Sequence, residues 1–247
     1  MNRTFGEILY TMIQEPIDSV LTQGRDATEV TQFMTKVYGW MTMALAITGL
    51  VALYTASSET LLELVFASKI TFWGLIIGTF LLVGWLTVAI RTMSPTTATA
   101  IFIVYSALNG LIFSSIFLIY TSSSIALTFF ITAGTFGVMS VYGYFTKADL
   151  SKIGSIAIMA LVGIILASIV NFFLESETLY WIISYAGVAI FTALIAYDTQ
   201  KIKDIAIYGF DGEAAEKKMS IVGALTLYLD FINLFLFLLR LFGGRKD

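Results

Sequence analysis

Long apolar segments alternate with short polar ones along almost the whole chain of 247 residues. A helix needs about 20 apolar residues to cross about 30 Å of hydrocarbon, and seven segments reach that length. They are 37–56, 70–90, 97–120, 125–145, 153–174, 179–198 and 219–242. The pattern therefore predicts an all-α polytopic membrane protein, a bundle of seven transmembrane helices embedded in a lipid bilayer.

The polar breaks between these segments are too short to divide the chain into separate folding units. The predicted organisation is a cytosolic N-terminal tail over 1–36, a transmembrane domain over 37–242 and a C-terminal tail over 243–247. The longest internal polar stretch, 199–218, is rich in charge and is predicted to be a solvated loop.

The composition limits which functional groups are available for chemistry. Hydrophobic residues make up 58% of the chain and charged residues 13%, about half the charged share of a typical soluble domain. The net charge of −3 does not indicate nucleic acid as a partner. Cysteine and histidine are both absent, which excludes thiolate and imidazole chemistry. Proton chemistry is therefore left to carboxylates, lysines and tyrosines.

Basic residues predict the orientation. With the N-terminus in the cytosol, ten of the 14 Lys and Arg residues lie on the cytosolic side, as the positive-inside rule requires. The four others are Lys69, Arg240, Arg245 and Lys246. The prediction is an integral protein of the cell (inner or plasma) membrane with a cytosolic N-terminus. A re-entrant last segment would place three more basic residues inside, but the full length of 219–242 favours a crossing.

Asp230 is the most unusual residue, because it lies near the centre of the last span. A carboxylate at that depth costs about 3 kcal/mol, so it has to be protonated, paired or hydrated. Asp198 lies at the cytosolic end of the sixth span, where it fits an interfacial cap as well as a site. Because the seventh span starts from that same side, the two carboxylates are able to meet.

Two adjacent carboxylates in an apolar setting would share a proton and respond to pH. They would also attract Ca²⁺, which prefers carboxylate and carbonyl oxygens. Arg91, at the cytosolic end of the second span, is either a counter-ion for this pair or an ordinary positive-inside anchor. The other polar residues within the spans are expected to form interhelical hydrogen bonds. They are Asn109, Asn171 and Asn233.

Five short strings together carry a family resemblance. They are YSALNG at 105–110, GVMSVYGY at 137–144, TKADLS at 146–151, AYDTQK at 196–201 and LDFINLF at 229–235. Over about 37–242 the chain resembles the Bax inhibitor-1 (transmembrane BAX inhibitor motif) family in its bacterial form. The resemblance implies a central last helix and a pH-sensitive calcium leak channel that needs no cofactor. Its gating residues would be Asp198 and Asp230, with Arg91 helping to latch the last helix.

Two other functions stay open on the sequence. A bacterial relative in this family binds a membrane-anchored AAA protease, so the chain is alternatively a non-catalytic regulator of such a protease, acting through 199–218 or the tail. An intramembrane aspartyl protease also carries one Asp on each of two neighbouring helices. That class has Gly-x-Gly-Asp at the second aspartate, whereas this chain has Leu-Tyr-Leu-Asp at 227–230. The prediction is that the protein is not an enzyme.

Overall fold

The computed structural model describes residues 26–246, and helices dominate this part of the chain. Its eight helices are α1 (Ala27–Ala56), α2 (Glu59–Phe66), α3 (Lys69–Ala89), α4 (Pro95–Ile119), α5 (Ser122–Phe145), α6 (Ser151–Leu174), α7 (Glu177–Tyr208) and α8 (Glu213–Phe242). All except the short α2 are long and apolar enough to cross a membrane. The predicted all-α polytopic architecture with seven spans is confirmed, and α2 is a helix that the sequence pattern did not reveal.

Several helices extend beyond the apolar segments that predicted them. α7 continues to Tyr208 and α8 begins at Glu213, so the predicted loop 199–218 is mostly helical and only 209–212 forms the turn. Ile202 and Ala206 remain buried in this polar stretch, one helical turn apart on one face. That apolar stripe packs on the bundle although the average hydropathy there is low.

The first helix also begins earlier than the sequence predicted. α1 starts at Ala27, so 27–36 are helical although they were assigned to the tail over 1–36. The buried residues of this first part are Val30, Phe33, Met34 and Val37, at the i, i+3, i+4, i+7 spacing of one helix face. The remainder of the predicted tail, 1–25, lies outside the described residues.

The last helix is the centre of the bundle. The apolar window of α8 is 61% buried, against 11–44% for the six other spans. It packs against α1, α4, α5 and α7, which confirms the predicted central last helix. The least buried spans, at 11% each, are α3 and α6. α3 packs on α2 and α4, and α6 packs on α7, so both are peripheral.

The ends of the helices define two faces. On the N-terminal face, the start of α1 meets the α7–α8 turn through the rings of Phe33 and Phe210, 4.8 Å apart. Lys36 also forms a 2.7 Å salt bridge with Glu216 there. The C-terminal face carries the α4–α5 and α6–α7 turns and the end of α8. The last helix therefore crosses completely from one face to the other.

The segment 243–246 on the C-terminal face is hydrogen-bonded to the α4–α5 turn. The backbone N–H of Thr121 donates to Gly244 O at 3.0 Å, and that of Lys246 donates to Ile119 O at 2.9 Å. The Nζ of Lys246 donates to Phe117 O at 2.7 Å. The predicted C-terminal tail, apart from residue 247, is thus a clasp that joins the end of α8 to α4 and α5.

Candidate functional site: a carboxylate pair in the membrane core

Asp198 on α7 and Asp230 on α8 meet within the bundle. Their carboxyl groups lie within hydrogen-bonding range of each other. At 1.5 Å per residue, Asp198 lies about 15 Å from the end of α7 on the N-terminal face. Asp230 lies about 18 Å from the end of α8 on the opposite, C-terminal face. The juxtaposition that the sequence allowed is therefore present, and it lies deep in the membrane-spanning part.

The two aspartates differ in environment. Asp198 is half-buried, whereas Asp230 is only 5% exposed and its Oδ2 atom has no hydrogen-bond partner. A buried polar atom without a partner costs about 1–3 kcal/mol, so the unpartnered oxygen of Asp230 destabilises the fold. Within 26–246 no cluster of three or more His, Cys, Asp or Glu side chains is placed to hold a metal ion.

Close helix approaches fix the position of Asp198. A Cβ atom at Gly143 of α5 would collide with the backbone oxygen of Ala196. A Cβ atom at Gly154 of α6 would collide with the ring of Tyr197. Both glycines let a neighbouring helix contact α7 one turn or less from Asp198, so its carboxyl has a defined direction.

Gln200, two residues after Asp198, holds the α5–α6 connection. Its Nε2 donates to Ala148 O at 2.9 Å, and its Oε1 accepts from the backbone N–H of Leu150 at 2.9 Å. In the same connection, hydrogen bonds from the side chain and backbone of Ser151 lower the pKa of the Asp149 carboxyl. Asp149 therefore stays charged at the start of α6, where an anion is favoured by the helix dipole.

Tyr228 fixes α8 two residues before Asp230. The hydroxyl of Thr48 on α1 donates to the backbone oxygen of Ser106 on α4 at 2.9 Å. The Tyr228 hydroxyl lies 2.9 Å from the same Thr48 oxygen, so Tyr228 donates and Thr48 accepts. The Tyr228 ring also packs edge-on against Phe102 and Tyr105 of α4. Three helices are thereby joined beside the carboxylate pair.

Both carboxylates line a cavity of about 730 Å³. Its lining residues come from α4, α7 and α8 and from α3 and α6, the two peripheral spans. Most lining residues are apolar. The polar lining residues besides the aspartates are Thr79, Tyr105, Asn109, Ser168, Thr226, Tyr228 and Asn233.

The asparagines do not form the interhelical hydrogen bonds that were expected. The Nδ2 atoms of Asn109 and Asn233 donate to Tyr105 O and Leu229 O, one turn earlier in their own helices. The Oδ1 of Asn171 accepts from the backbone N–H of Ser176 in the α6–α7 turn. Because their side-chain N–H groups are hydrogen-bonded within their own helices, Asn109 and Asn233 line the cavity and do not link two helices.

Arg91 is not part of the pair in this structure. It is exposed just beyond the end of α3 on the N-terminal face, where its backbone oxygen accepts from Lys218 Nζ at 2.9 Å. Among ion pairs between described residues only Lys36–Glu216 occurs, so Arg91 bridges neither Asp198 nor Asp230. The structure brings two of the three predicted site residues together and leaves Arg91 apart.

Sequence reasoning did not identify Gln200 or Tyr228. Both are polar residues within two positions of a site aspartate, and such proximity in the sequence was the available signal. Their roles depend on partners 50 and 180 residues away, which no local pattern indicates.

Comparison with known proteins identifies the family. The family model described as inhibitor of apoptosis-promoting Bax1 matches residues 30–247. The chain belongs to the Bax inhibitor-1 family. It is 52% identical to the inner membrane protein YbhL of Escherichia coli K12 over 215 residues, covering 87% of this chain and 92% of the relative.

Two further relatives are similar to this chain over most of their length. An uncharacterized protein of Borreliella burgdorferi is 47% identical over 216 residues, covering 87% of this chain and 93% of the relative. One from Deinococcus radiodurans is 40% identical over 236 residues, covering 96% of this chain and all of the relative. The family description names no catalytic activity. The seven apolar helices make this chain an integral membrane protein.

Proposed function

We propose that this Bax inhibitor-1 family member is a pH-sensitive calcium leak channel of the cell's inner (plasma) membrane. Asp198 and Asp230 share a proton and form its gate, and the N-terminal face lies in the cytosol. The observation that carries the proposal is the meeting of two carboxylates that both line a 730 Å³ cavity among the membrane-spanning helices.

The chemistry of the pair suits a passing divalent cation. Ca²⁺ takes carboxylate and carbonyl oxygens in flexible arrangements of six to eight ligands. Two carboxylates supply charge without the full ligand set of a tight site, and conduction requires binding that is weak enough for release. The unpartnered Oδ2 of Asp230 is an acceptor that neither helix satisfies, so an ion or a water molecule is its natural partner. Ca²⁺ here is cargo, not a resident cofactor.

The same pair supplies the pH response. When one proton is shared, the carboxyls attract each other across the α7–α8 contact. When that proton leaves, two negative charges face each other in a poorly polarisable setting and repel. Because α8 is the central helix and contacts α1, α4, α5 and α7, a change at this contact alters the packing around the cavity. Protons and Ca²⁺ thus compete for the same oxygens.

Arg91 takes part in the proposed gate only in a second conformation of the protein. In this conformation Arg91 is exposed and bridges neither aspartate. Its pairing with a carboxylate requires a rearrangement of α3, a peripheral helix that packs mainly on α2 and α4. A latch formed by Arg91 is therefore a feature of a second state.

The test is calcium flux in liposomes that contain the purified protein, recorded from pH 6 to 8. Wild type is compared with Asp198→Asn and Asp230→Asn, which remove charge with little change in shape. We expect flux above that of empty vesicles, a dependence on pH in wild type, and a flat profile in both variants. The exposed Asp211→Asn variant is the matched control and should keep the wild-type profile.

Flux equal to that of empty vesicles at every pH would remove the channel proposal. The alternative, a non-catalytic regulator of a membrane-anchored AAA protease, then takes priority. It predicts that a partner binds the charged N-terminal face and that binding is unaffected by Asp230→Asn.

A further inference from the structure

Two further cavities lie near the C-terminal face. One of about 500 Å³ lies beside the α6–α7 turn, and one of about 250 Å³ adjoins it. These two share Asn171, Tyr180 and Arg240 as lining residues. The smaller one shares Ser168 with the 730 Å³ cavity. The shared lining residues place the three spaces side by side, and the exposed Arg240 side chain lines both the 500 Å³ and the 250 Å³ cavity.

Aromatic rings hold the Arg240 side chain in this position. Its guanidinium carbon is 5.3 Å from the centroid of the Phe237 ring and 5.9 Å from that of Tyr180, within the range of cation–π attraction. The Phe237 ring stacks on Phe191 at 5.8 Å. A Cβ atom at Gly187 would lie 2.6 Å from the Phe237 ring, so α7 has no side chain where this ring packs.

The charge of Arg240 is not neutralised by a carboxylate contact. Glu175 and Glu177 line the same 500 Å³ cavity, yet neither forms a salt bridge with Arg240, since Lys36–Glu216 is the sole ion pair within the described part of the chain. Arg245 lines that cavity as well. The charge on the Arg240 guanidinium raises the local potential for a cation beside it.

We propose that Arg240 is a charge filter at the C-terminal-face mouth of the cation pathway, which slows the passage of cations toward Asp198 and Asp230. The proposal rests on the proposed function, because it assumes that ions use this cavity. A charge about 6 Å from a passing ion, with water-like screening, changes its local concentration by roughly threefold for a monovalent and tenfold for a divalent ion. Arg240 therefore limits the leak most strongly for Ca²⁺.

A cysteine probe tests this filter without relying on calcium flux. The chain contains no cysteine, so Asn233→Cys places a single thiol in the 730 Å³ cavity. In lipid nanodiscs, its modification rates by a cationic and an anionic methanethiosulfonate are compared. We expect Arg240→Gln to raise the cationic-to-anionic rate ratio about tenfold, since the two rates shift about threefold in opposite directions. Arg240→Met, as a second charge-removing variant, should do the same.

Two control variants separate the filter from general surface charge. Arg240→Lys keeps the charge and should keep the wild-type ratio. Lys69→Gln removes a positive charge from the same face at the exposed start of α3, away from the three cavities, and should also keep it. The proposal would be overturned if the cationic-to-anionic rate ratio were the same in Arg240→Gln, Arg240→Met and Lys69→Gln. It would also be overturned if neither reagent modified the thiol in any variant.

Calcium flux in liposomes distinguishes this inference from the proposed function. If the leak exists, Arg240→Gln should raise Ca²⁺ flux about tenfold and Lys69→Gln should not. If the reagent ratio shifts while no variant conducts Ca²⁺, the filter stands and the calcium channel fails. If wild type conducts Ca²⁺ and Arg240→Gln changes neither flux nor ratio, the channel stands and the filter fails.

Discussion

Asp230 is the residue on which the account depends most. Its side chain is 5% exposed, and the carboxyl of Asp198 is the titratable group that faces it within hydrogen-bonding range. The hydrogen-bond network of Tyr228, Thr48 and Ser106 passes beside it without reaching it. The position is therefore costly for the fold, which fits the proposed role in binding protons or cations.

Substitution of Asp230 by asparagine should make the fold more stable. Asparagine keeps the shape, donates a hydrogen bond to Asp198 and removes one of two like charges. We expect thermal unfolding in detergent to occur about 2–8 °C higher at pH 8, as about 1 to 2 kcal/mol would give in a protein of this size. The gain should be smaller at pH 6, because a shared proton already relieves the repulsion in wild type.

The measurement is a thermal unfolding scan of wild type, Asp230→Asn and the control Asp211→Asn at both pH values. Asp211 is exposed in the 209–212 turn, so its substitution should leave the unfolding temperature unchanged. A decrease of equal size at pH 6 and pH 8 for Asp230→Asn would show that the carboxylate is a structural partner of the fold.

At the scale of elements, the position of α7 depends on hydrogen bonds between Gln200 and the α5–α6 connection. Gln200 bonds to both Ala148 O and Leu150 N–H, and Leu150 is only 2% exposed. The Gln200→Ala variant leaves these backbone groups without protein partners, which should cost about 2 kcal/mol. It should also weaken the pH response by loosening Asp198. Chemical unfolding and flux of Gln200→Ala are compared with the exposed-site control Gln32→Ala, for which we expect no change in either.

The elements also show which features the sequence could predict. Apolar runs of about 20 residues revealed the seven spans, and the return of the last span from the side on which the sixth ends allowed Asp198 and Asp230 to meet. The charged residues of 199–208 concealed the continuation of α7. Mean hydropathy averages all residues of a helical turn, whereas Ile202 and Ala206 are buried because they lie on the one face of α7 that packs on the bundle. The position of Arg91 depends on the direction of the chain after α3, which residue type does not determine.

At the scale of the whole molecule, contacts at both ends of α8 hold this central helix in place. The N-terminal face connects α8 to α1 through Lys36 and Glu216. On the C-terminal face, the clasp 243–246 forms four hydrogen bonds with 117–124. Between these ends α8 lines the 730 Å³ cavity, and it also lines a separate apolar cavity of about 410 Å³ beside α1, α4 and α5. Space on both sides gives α8 room to shift.

Removal of the clasp should loosen α8. Truncation after Phe242 removes the four hydrogen bonds, each worth about 1 kcal/mol, so we expect a loss of about 2–4 kcal/mol in the free energy of unfolding. Calcium flux should rise, because the end of α8 is no longer joined to α4 and α5. The matched control is removal of residue 247 alone. Unchanged stability and flux after the longer truncation would show that the clasp does not hold the helix.

The central claim is that Asp198 and Asp230 act as one proton-sharing gate, and a double-variant comparison tests it most directly. Calcium flux between pH 6 and 8 is measured for wild type, Asp198→Asn, Asp230→Asn and the double variant in the same liposomes. A shared proton requires both carboxyls, so the account predicts that each single variant abolishes the pH dependence and that the double variant adds nothing. Independent, additive effects of the two substitutions, or a wild-type pH profile in either single variant, would contradict it.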